Sequence, residues 1–213
     1  MTRYASVPRT TATTGALLLM TGPMFAGKSS ALIAHASACD GGVLVLKPAF
    51  DVRDGVSLVS SRDGSSIAAL PVSSWPAQAA SARTLVIDEV QFLVAPHYDG
   101  DIVDEVLGAV ASGQKVVVGG LDTDYLKRPF EPVARLAGHA TRHVRLTARC
   151  HVCDAPACWT AKRQETGRRL ELGCDELYEA RCDLHWSPPD AVPAAKAGPH
   201  RSARRRLAAG VSR

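Results

Sequence analysis

The sequence predicts an α/β fold, with a parallel sheet covered by helices on both faces and a small metal-binding lobe after it. Three observations support this prediction. Continuous apolar runs, typical of strands buried on both faces, alternate with helical segments over residues 15–147. A glycine-rich motif follows the first run, where such folds place a ligand loop. Five of the six cysteines lie in the last third of the chain.

The elements follow one another in the order that this fold requires. An apolar run at 16–21 is followed by Gly22-Pro23, which predicts a buried strand that leads into a turn. Further strands are predicted at 43–47, 84–88 and 115–119, and helices at about 28–38 and at 101–111. The polar segment 49–66 predicts a loop or a β-arm over something polar.

Composition divides the chain into four parts. We predict a disordered N-terminal segment at 1–14, a phosphate-binding domain at 15–147, a zinc-binding lobe at 148–186 and a disordered basic tail at 187–213. The net charge is +4, of which the tail carries +5, so residues 1–186 carry −1. Residues 1–186 are nearly neutral, so they lack the excess of basic residues that is typical of a dedicated nucleic-acid-binding protein. The basic tail is expected to be a solvated chain end.

Hydropathy argues against a membrane location. No apolar run reaches the ~20 residues that a membrane span needs. The apolar stretch at 16–20 is shorter than the hydrophobic region of a secretory signal peptide, which has roughly 7 or more residues. We therefore expect a soluble, cytoplasmic protein.

The glycine-rich motif has the spacing of a phosphate loop. Gly22-Pro-Met-Phe-Ala-Gly-Lys-Ser29 matches G-x4-G-K-[ST]. In such a loop, backbone N–H groups face phosphate oxygens, Lys28 reaches the β- and γ-phosphates, and the Ser29 hydroxyl binds Mg²⁺. A chance glycine loop is the alternative, but the predicted strand before the motif and helix after it favour the functional interpretation.

Two adjacent acids end the strand at 84–88. Asp88 lies where a phosphate-loop protein usually places the carboxylate that organises Mg²⁺. Glu89, beside it, could take a proton from a nucleophile or orient a water. A solvated acidic turn is the alternative, although the apolar strand places the pair at the sheet edge where ligands bind.

The cysteines predict a structural zinc site. Cys150-His-Val-Cys153 and Cys182-Asp-Leu-His185 are two knuckles separated by 28 residues. Their thiolates and imidazole would fill all four positions of a tetrahedral site. His151 competes with His185 but is disfavoured, since adjacent residues rarely bind one ion together. Small buried thiols are the expected state of Cys39, Cys158 and Cys174.

Three aromatic residues lie in polar surroundings. Tyr125, Phe130 and Tyr178 are flanked by Gly, Asp and Arg rather than by apolar runs. Their rings could stack on a base, and packing roles are at least as plausible from the sequence alone.

Four blocks together resemble the type II thymidine kinases, the zinc-containing tetrameric class. They are Gly22–Ser29, Ile87-Asp-Glu-Val-Gln-Phe92, the segment from Gly120-Leu-Asp to Phe130, and the knuckle pair with Leu172–Tyr178 before it closes. Cys-x2-His as the second knuckle, Lys47-Pro48 and Ser60-Ser-Arg62 are similar to bacterial members. The resemblance covers about residues 15–186, and the combination is far more specific than the phosphate loop alone.

The resemblance implies a function and a role for each matching residue. It implies transfer of the ATP γ-phosphate to the 5′-hydroxyl of thymidine, with deoxyuridine as a second candidate acceptor, Glu89 as the base, and Ser29 and Asp88 at Mg²⁺. It implies ATP contacts from Gly22, Pro23, Met24, Phe25, Ala26, Gly27, Lys28, Ser29, Ser30 and Arg62. It implies substrate contacts from Gln91, Leu121, Tyr125, Phe130 and Tyr178, the last within a lasso loop around 170–178 that covers the base.

The resemblance also implies structural Zn²⁺, a homotetramer and feedback inhibition by dTTP. The chain departs from the family pattern at Cys174 and Leu177, in segment 154–158 and at 93–96. These departures bear on substrate range and feedback more than on the reaction class. The main alternative is a zinc-containing phosphate-loop ATPase acting on nucleic acid, and others are a kinase for another small acceptor and a non-catalytic relative.

Overall fold

The computed structural model describes residues 14–53, 55–163, 168 and 176–189. The predictions for residues 1–13 and 190–213, for Cys174 and for most of the segment at 170–178 lie outside these ranges.

The secondary structure of the described chain consists mainly of short strands. The strands are β1 (Ala16–Thr21), β2 (Val43–Pro48), β3 (Leu58–Ser60), β4 (Ser66–Ala68), β5 (Leu70–Val72), β6 (Thr84–Ile87), β7 (Lys115–Gly120), β8 (Arg142–Arg145), β9 (Ala148–Arg149), β10 (Pro156–Ala157), β11 (Trp159–Lys162) and β12 (Tyr178–Arg181). The α-helices are α1 (Lys28–Ser37), α2 (Ile102–Ala111) and α3 (Glu131–Ala137). Short 3₁₀ helices lie at Ala77–Ser81 and Val90–Phe92.

Six strands form one parallel sheet in the order β5-β2-β6-β7-β1-β8. All of their carboxyl ends therefore meet at one edge, where ligands bind in open α/β folds. The end of β7 lies between those of β1 and β6 and carries two glycines. A Cβ on Gly119 would lie 2.6 Å from Leu32, and one on Gly120 would lie 2.9 Å from the side-chain oxygen of Gln91. The space that side chains at these two positions would fill is occupied by Leu32 of α1 and by Gln91 of the 3₁₀ helix Val90–Phe92.

Helices cover both faces of the sheet, as the sequence predicts. Side chains alternate along each strand, so Leu17 and Leu19 of β1 pack with α2 and α3 in the larger core. Met20 points to the opposite face and packs with Leu32 and Ile33 of α1 in a second core. The second core consists of buried aliphatic side chains together with Met20, and the larger core also contains the aromatic rings of Tyr98 and Phe130. This packing fixes the strands beneath the ligand-binding edge.

Four features extend the predicted pattern. The polar segment 49–66 leads into an antiparallel hairpin of β3 and β4, in agreement with the expected β-arm. The short strand β5 and the helix α3, whose first turn contains Pro132, were not predicted. Nor was β8, whose sequence Arg-His-Val-Arg is largely exposed because the strand lies at the sheet edge.

A small lobe follows β8 and is built from two antiparallel pairs, β9 with β10 and β11 with β12. Its core is small and contains Ala148, Ala157, Ala180 and two cysteines, Cys150 and Cys182. A core of this size gives little hydrophobic stabilisation, so such lobes usually need a metal or disulfides. Within the described residues, no helix has the length and apolar character of a membrane span.

Candidate active site and metal centre

The phosphate loop begins at a position that requires glycine. Gly22 follows β1 with φ +146°, and a Cβ there would lie 2.3 Å from the carbonyl oxygen of Leu146. Gly27 adopts the left-handed conformation, with φ +78°, at the start of α1. The two glycines bend the chain so that the positive end of α1 faces the cleft above the sheet.

Lys28 closes this loop from within. Its Nζ donates hydrogen bonds to the carbonyl oxygens of Gly22, at 3.1 Å, and Pro23, at 2.7 Å. Burial lowers the pKa of the Lys28 ammonium, and the nearby carboxylates of Glu89 and Asp88 oppose that shift. The ammonium is thus held at the base of the loop, where a bound anion would meet it.

The cleft above the loop has a volume of about 830 Å³. It brings together most of the predicted phosphate contacts with both predicted acids. Its lining includes Met24, Phe25, Ala26, Gly27, Lys28, Ser29, Ser30, Arg62, Asp88, Glu89 and Leu121. The guanidinium of Arg62 stacks on the Phe25 ring, with 4.2 Å between its central carbon and the ring centre.

Asp88 joins the end of β6 to the phosphate loop. One of its oxygens, Oδ2, accepts a hydrogen bond from the Ser29 hydroxyl at 3.0 Å, and Oδ1 accepts one from the Glu89 N–H at 2.9 Å. Burial and the neighbouring Glu89 carboxylate raise the pKa of Asp88 to about 7. A buried carboxylate and a hydroxyl are oxygen ligands of the type that Mg²⁺ prefers, so this pair fits that ion.

Glu89 is held at the cleft by contacts on both carboxylate oxygens. Its backbone is left-handed, with φ +51°, and its side chain lines the cleft. Oε1 accepts a hydrogen bond from Arg53 at 3.2 Å, and Oε2 accepts one from the Gln91 amide. Gln91 in turn accepts a hydrogen bond from the Leu121 N–H at 3.0 Å. Because Gln91 is fully buried, its place is behind Glu89 rather than in the cleft.

Arg53 is a residue of this site that sequence reasoning missed. Its guanidinium donates to Asp51 through Nε at 2.8 Å and through a terminal nitrogen at 2.6 Å, and that same nitrogen reaches Glu89. Burial opposes ionisation of Asp51, but the hydrogen bonds from Arg53 outweigh it and lower the pKa of that carboxyl. Both residues lie in the polar segment 49–66, where no periodicity marks which side chains turn inward.

The four predicted metal ligands form one cluster in the small lobe. The ligand atoms of Cys150, Cys153, Cys182 and His185 all lie within 4.8 Å of one another. The sulfurs of Cys153 and Cys182 are 3.7 Å apart, and His185 Nδ1 is 3.2 Å from Cys182 Sγ and 3.9 Å from Cys150 Sγ. Tetrahedral Zn–S and Zn–N bonds of about 2.3 and 2.0 Å give ligand separations in this range, so the cluster fits Zn²⁺.

The surrounding backbone favours the thiolate form of Cys150. Burial opposes ionisation of Cys150, but N–H groups of Cys182, Val152 and Cys153 outweigh it and lower the pKa of that thiol to about 6. His151 lies apart from the cluster, since its Nδ1 accepts a hydrogen bond from the Ala180 N–H at 3.1 Å. Cys39 and Cys158 were expected to be buried, but both are partly exposed.

Comparison with known proteins decides which family this arrangement belongs to. The profile of the family described as "Thymidine kinase" matches residues 15–186, which include both the cleft and the cysteine cluster.

This chain belongs to the thymidine kinase family.

Curated relatives named thymidine kinase are similar to this chain over most of their length. One from Rhodothermus sp. is 34% identical over 181 residues, which cover 82% of this chain and 83% of the relative. One from Ureaplasma parvum is 33% identical, covering 83% and 84%. One from Pyrobaculum aerophilum is 32% identical, covering 81% and 99%. A thymidine kinase must hold a nucleoside beside its nucleotide, and aromatic rings are suited to contact its base.

Tyr125 and Tyr178 flank a buried lysine, Lys162. The Lys162 ammonium lies 5.0 Å from the Tyr125 ring centre and 5.8 Å from that of Tyr178, and it donates to the Arg168 carbonyl at 3.0 Å. The two predicted aromatic residues therefore lie near each other, on different lobes. Phe130 lies elsewhere, in the larger hydrophobic core with Val90 and Val133.

Proposed function

We propose that this protein transfers the γ-phosphate of ATP to the 5′-hydroxyl of thymidine. The observation that carries the proposal is the contact between Ser29 and Asp88, because it brings the phosphate loop to the strand end that also presents Glu89. A carboxylate at that position faces the space where the γ-phosphate of a loop-bound ATP would end. The same cleft, about 830 Å³ in volume, is lined by Lys28 and by Glu89.

The phosphate loop supplies most of the charge neutralisation. Its N–H groups and the Lys28 ammonium would hold the β- and γ-phosphates, and Phe25, Ser30 and Arg62 line the same cleft. Ser29 and Asp88 would hold Mg²⁺, which when bound adds positive charge beside the transferred group. Asp88 must be ionised in that state, and the Lys28 ammonium nearby favours its ionisation.

Glu89 would act as the general base. Its carboxylate takes the proton of the 5′-hydroxyl as the oxygen forms its bond to the γ-phosphorus, and the bond to the β–γ bridging oxygen breaks to release ADP. Arg53 and Gln91 hold the carboxylate in place, and each of its oxygens keeps a further lone pair for the substrate hydroxyl. Gln91 is thus a positioning residue in this scheme.

The acceptor base would lie between the lobes. Leu121 and Tyr125 would contact it from the sheet side and Tyr178 from the small lobe, with the predicted lasso around 170–178 closing over it. Closure would exclude water and so limit ATP hydrolysis. Phe130 would support this pocket from the core rather than contact the base.

The small lobe at 148–186 would be held together by structural Zn²⁺ on Cys150, Cys153, Cys182 and His185, as the ligand spacing supports. The domain at 15–147 would carry the phosphate chemistry. We further propose a homotetramer, feedback inhibition by dTTP and a cytoplasmic location, where a reducing environment keeps zinc-binding thiols free of disulfides. The tetramer and the feedback inhibition are what the family resemblance implies.

Product identification tests the proposal directly. Purified protein is incubated with ATP, Mg²⁺ and a panel of deoxynucleosides, and the products are identified by mass spectrometry. Thymidine monophosphate as the dominant product is expected, with deoxyuridine monophosphate as a possible second product. Formation of ADP without any nucleoside monophosphate would contradict the proposal and favour a nucleic-acid-dependent ATPase.

A further inference from the structure

A lysine lies between two tryptophan rings outside the phosphate cleft. The Lys127 ammonium is 4.0 Å from the Trp159 ring centre and 3.9 Å from that of Trp186. All three side chains are half-buried. A cation at this distance is attracted to the face of an indole ring, and partial loss of water strengthens the attraction. We call Lys127, Trp159 and Trp186 the tryptophan clamp.

Lys127 stands on a turn that is rigid within itself. Its backbone is left-handed, with φ +62°, and its N–H donates to the Asp124 carbonyl at 3.0 Å. The buried Asp124 side chain accepts hydrogen bonds from the N–H groups of Leu126 and Arg128, each at 2.9 Å. Tyr125 belongs to the same turn. The contacts of Lys127 with the two indole rings therefore also restrict the position of Tyr125.

Both rings of the clamp are tied to the second knuckle of the metal cluster. The Trp159 indole N–H donates to the Asp183 carboxylate at 2.6 Å, and Asp183 lies between the ligands Cys182 and His185. Trp186 directly follows His185, and its backbone N–H donates to the Cys182 carbonyl at 3.0 Å. The conformation of the knuckle therefore sets the spacing of the two rings.

We propose that the tryptophan clamp couples the metal cluster to the acceptor pocket, with Lys127 as the positioning residue that seats Tyr125. This rests on the proposed function, in which Tyr125 contacts the thymine base. Coupling between two binding sites is reciprocal. A nucleoside that binds more tightly when Tyr125 is held in this position must therefore also stabilise the metal-bound conformation of the second knuckle. Thymidine is therefore expected to slow the loss of zinc.

Steady-state kinetics test the positioning role. Lys127→Met keeps the length and apolar contacts of the side chain but removes its charge. It is expected to raise the KM for thymidine about five- to tenfold, with kcat and the KM for ATP within about twofold of wild type. Lys127→Arg is expected to restore the KM, because a guanidinium also stacks on indole rings.

Lys115→Met is the matched control, because Lys115 is exposed and lies at the amino end of β7, opposite the carboxyl end that forms the ligand-binding edge. An unchanged thymidine KM in Lys127→Met would overturn the positioning role, and so would equal rises in both KM values.

Zinc release tests the coupling without turnover. Zinc-loaded protein is mixed with a chromogenic chelator, and the rate of transfer is measured with and without thymidine. Thymidine should slow transfer several-fold in wild type and Lys115→Met but not in Lys127→Met. Equal slowing in Lys127→Met, or no slowing in a wild type that phosphorylates thymidine, would overturn the coupling.

The same measurement separates the two proposals. If the wild-type protein fails to phosphorylate thymidine, the proposed function fails, yet the clamp still predicts faster zinc loss from Lys127→Met than from Lys115→Met with no nucleoside present. Equal rates for these two variants would then overturn the clamp as well.

Discussion

Asp88 and Glu89 are neighbours in sequence but have different surroundings. Asp88 is buried at the end of β6 and hydrogen-bonded to Ser29, whereas Glu89 is turned into the cleft by a left-handed backbone. A buried acid beside a hydroxyl suits a metal ion, and an acid that solvent reaches suits proton transfer. One strand end thus supplies two carboxylates for two different tasks.

Replacing the proposed base should greatly reduce turnover with little effect on nucleotide binding. Glu89→Gln keeps the shape and the hydrogen-bonding ability of the side chain but cannot accept the proton. We expect kcat to fall by about 10²- to 10⁴-fold, the range of a general base. ATP affinity, measured by calorimetry, should stay within a few-fold. Glu131→Gln, on the exposed side of α3, is the control, and near-wild-type turnover in Glu89→Gln would remove Glu89 from the base role.

The raised pKa of Asp88 predicts how stability depends on pH. With a pKa of about 7 in the fold and about 3.8 when unfolded, the folded protein binds more protons between these values. Without Mg²⁺ or ATP, its contribution to stability is therefore lost as pH rises from about 4 through about 7. Asp88→Asn should remove this loss, so its unfolding temperature relative to wild type should increase from pH 5 to pH 8.

Thermal unfolding at several pH values measures this difference. Ser112→Ala, which removes an exposed hydroxyl that donates to the Gly108 carbonyl, serves as a control with no such pH dependence. A difference between Asp88→Asn and wild type that stays constant across the pH range would contradict the assigned pKa.

The predictability of the site differs from residue to residue. The motif Gly22–Ser29 and the acids were accessible to prediction because a strand or a helix fixes their positions. Arg53 was not, since a loop without periodicity gives no signal of which side chain turns inward. Gln91 was predicted to contact the substrate, and its burial behind Glu89 depends on space left by Gly120, a tertiary feature that no local pattern reveals.

At the scale of elements, burial on both faces is what made strands predictable. Strands β1, β2, β6 and β7 lie inside the sheet and consist of continuous apolar runs. The edge strand β8 has a polar sequence and is fixed by hydrogen bonds to β1 rather than by hydrophobic burial. Helix α3 is short, so its apolar residues are too few to establish a period.

Helix α2 offers a test of element stability. Its N-cap, Asp101, accepts hydrogen bonds from the N–H groups of Val103 and Asp104, and its other oxygen accepts one from Arg135 of α3. Asp101→Ala should lower the free energy of unfolding by about 1 kcal/mol, the usual cost of losing such a cap. For a chain of this length, that corresponds to a fall of roughly 2–4 °C in the unfolding temperature.

Asp101→Asn is the matched variant, because an amide oxygen also caps a helix. It should retain most of the stability, and both variants should keep wild-type kcat. Equal destabilisation by Asn and Ala would show that the charge contact with Arg135, rather than the cap, matters.

At the scale of the whole molecule, residues of both lobes contact the phosphate loop. The Met24 N–H donates to the hydroxyl of Thr160, a buried residue of β11, at 3.0 Å. The Phe25 ring lies against His151 of the first knuckle, with ring centres 5.0 Å apart. The loop is therefore positioned by the small lobe as well as by the sheet.

Thr160→Val should weaken this link, because it removes the hydroxyl while keeping the volume. An unpaired N–H group at Met24 should lower the free energy of unfolding by about 1–3 kcal/mol, as measured by urea unfolding. The KM for ATP should also rise. Thr160→Ser keeps the hydroxyl and should behave like wild type in ATP binding, whereas an ATP KM unchanged in Thr160→Val would show that the loop keeps its shape without the small lobe.

The contacts of Lys28 with the carbonyls of Gly22 and Pro23 have a consequence for the nucleotide-free enzyme. They form a ring within the chain that keeps the loop curved before any ligand arrives, so the entropy of ordering the loop is lost during folding rather than during binding. Such preorganisation raises affinity without adding a contact to the ligand. It also shields the ammonium with protein oxygens, which an incoming phosphate has only to replace one for one.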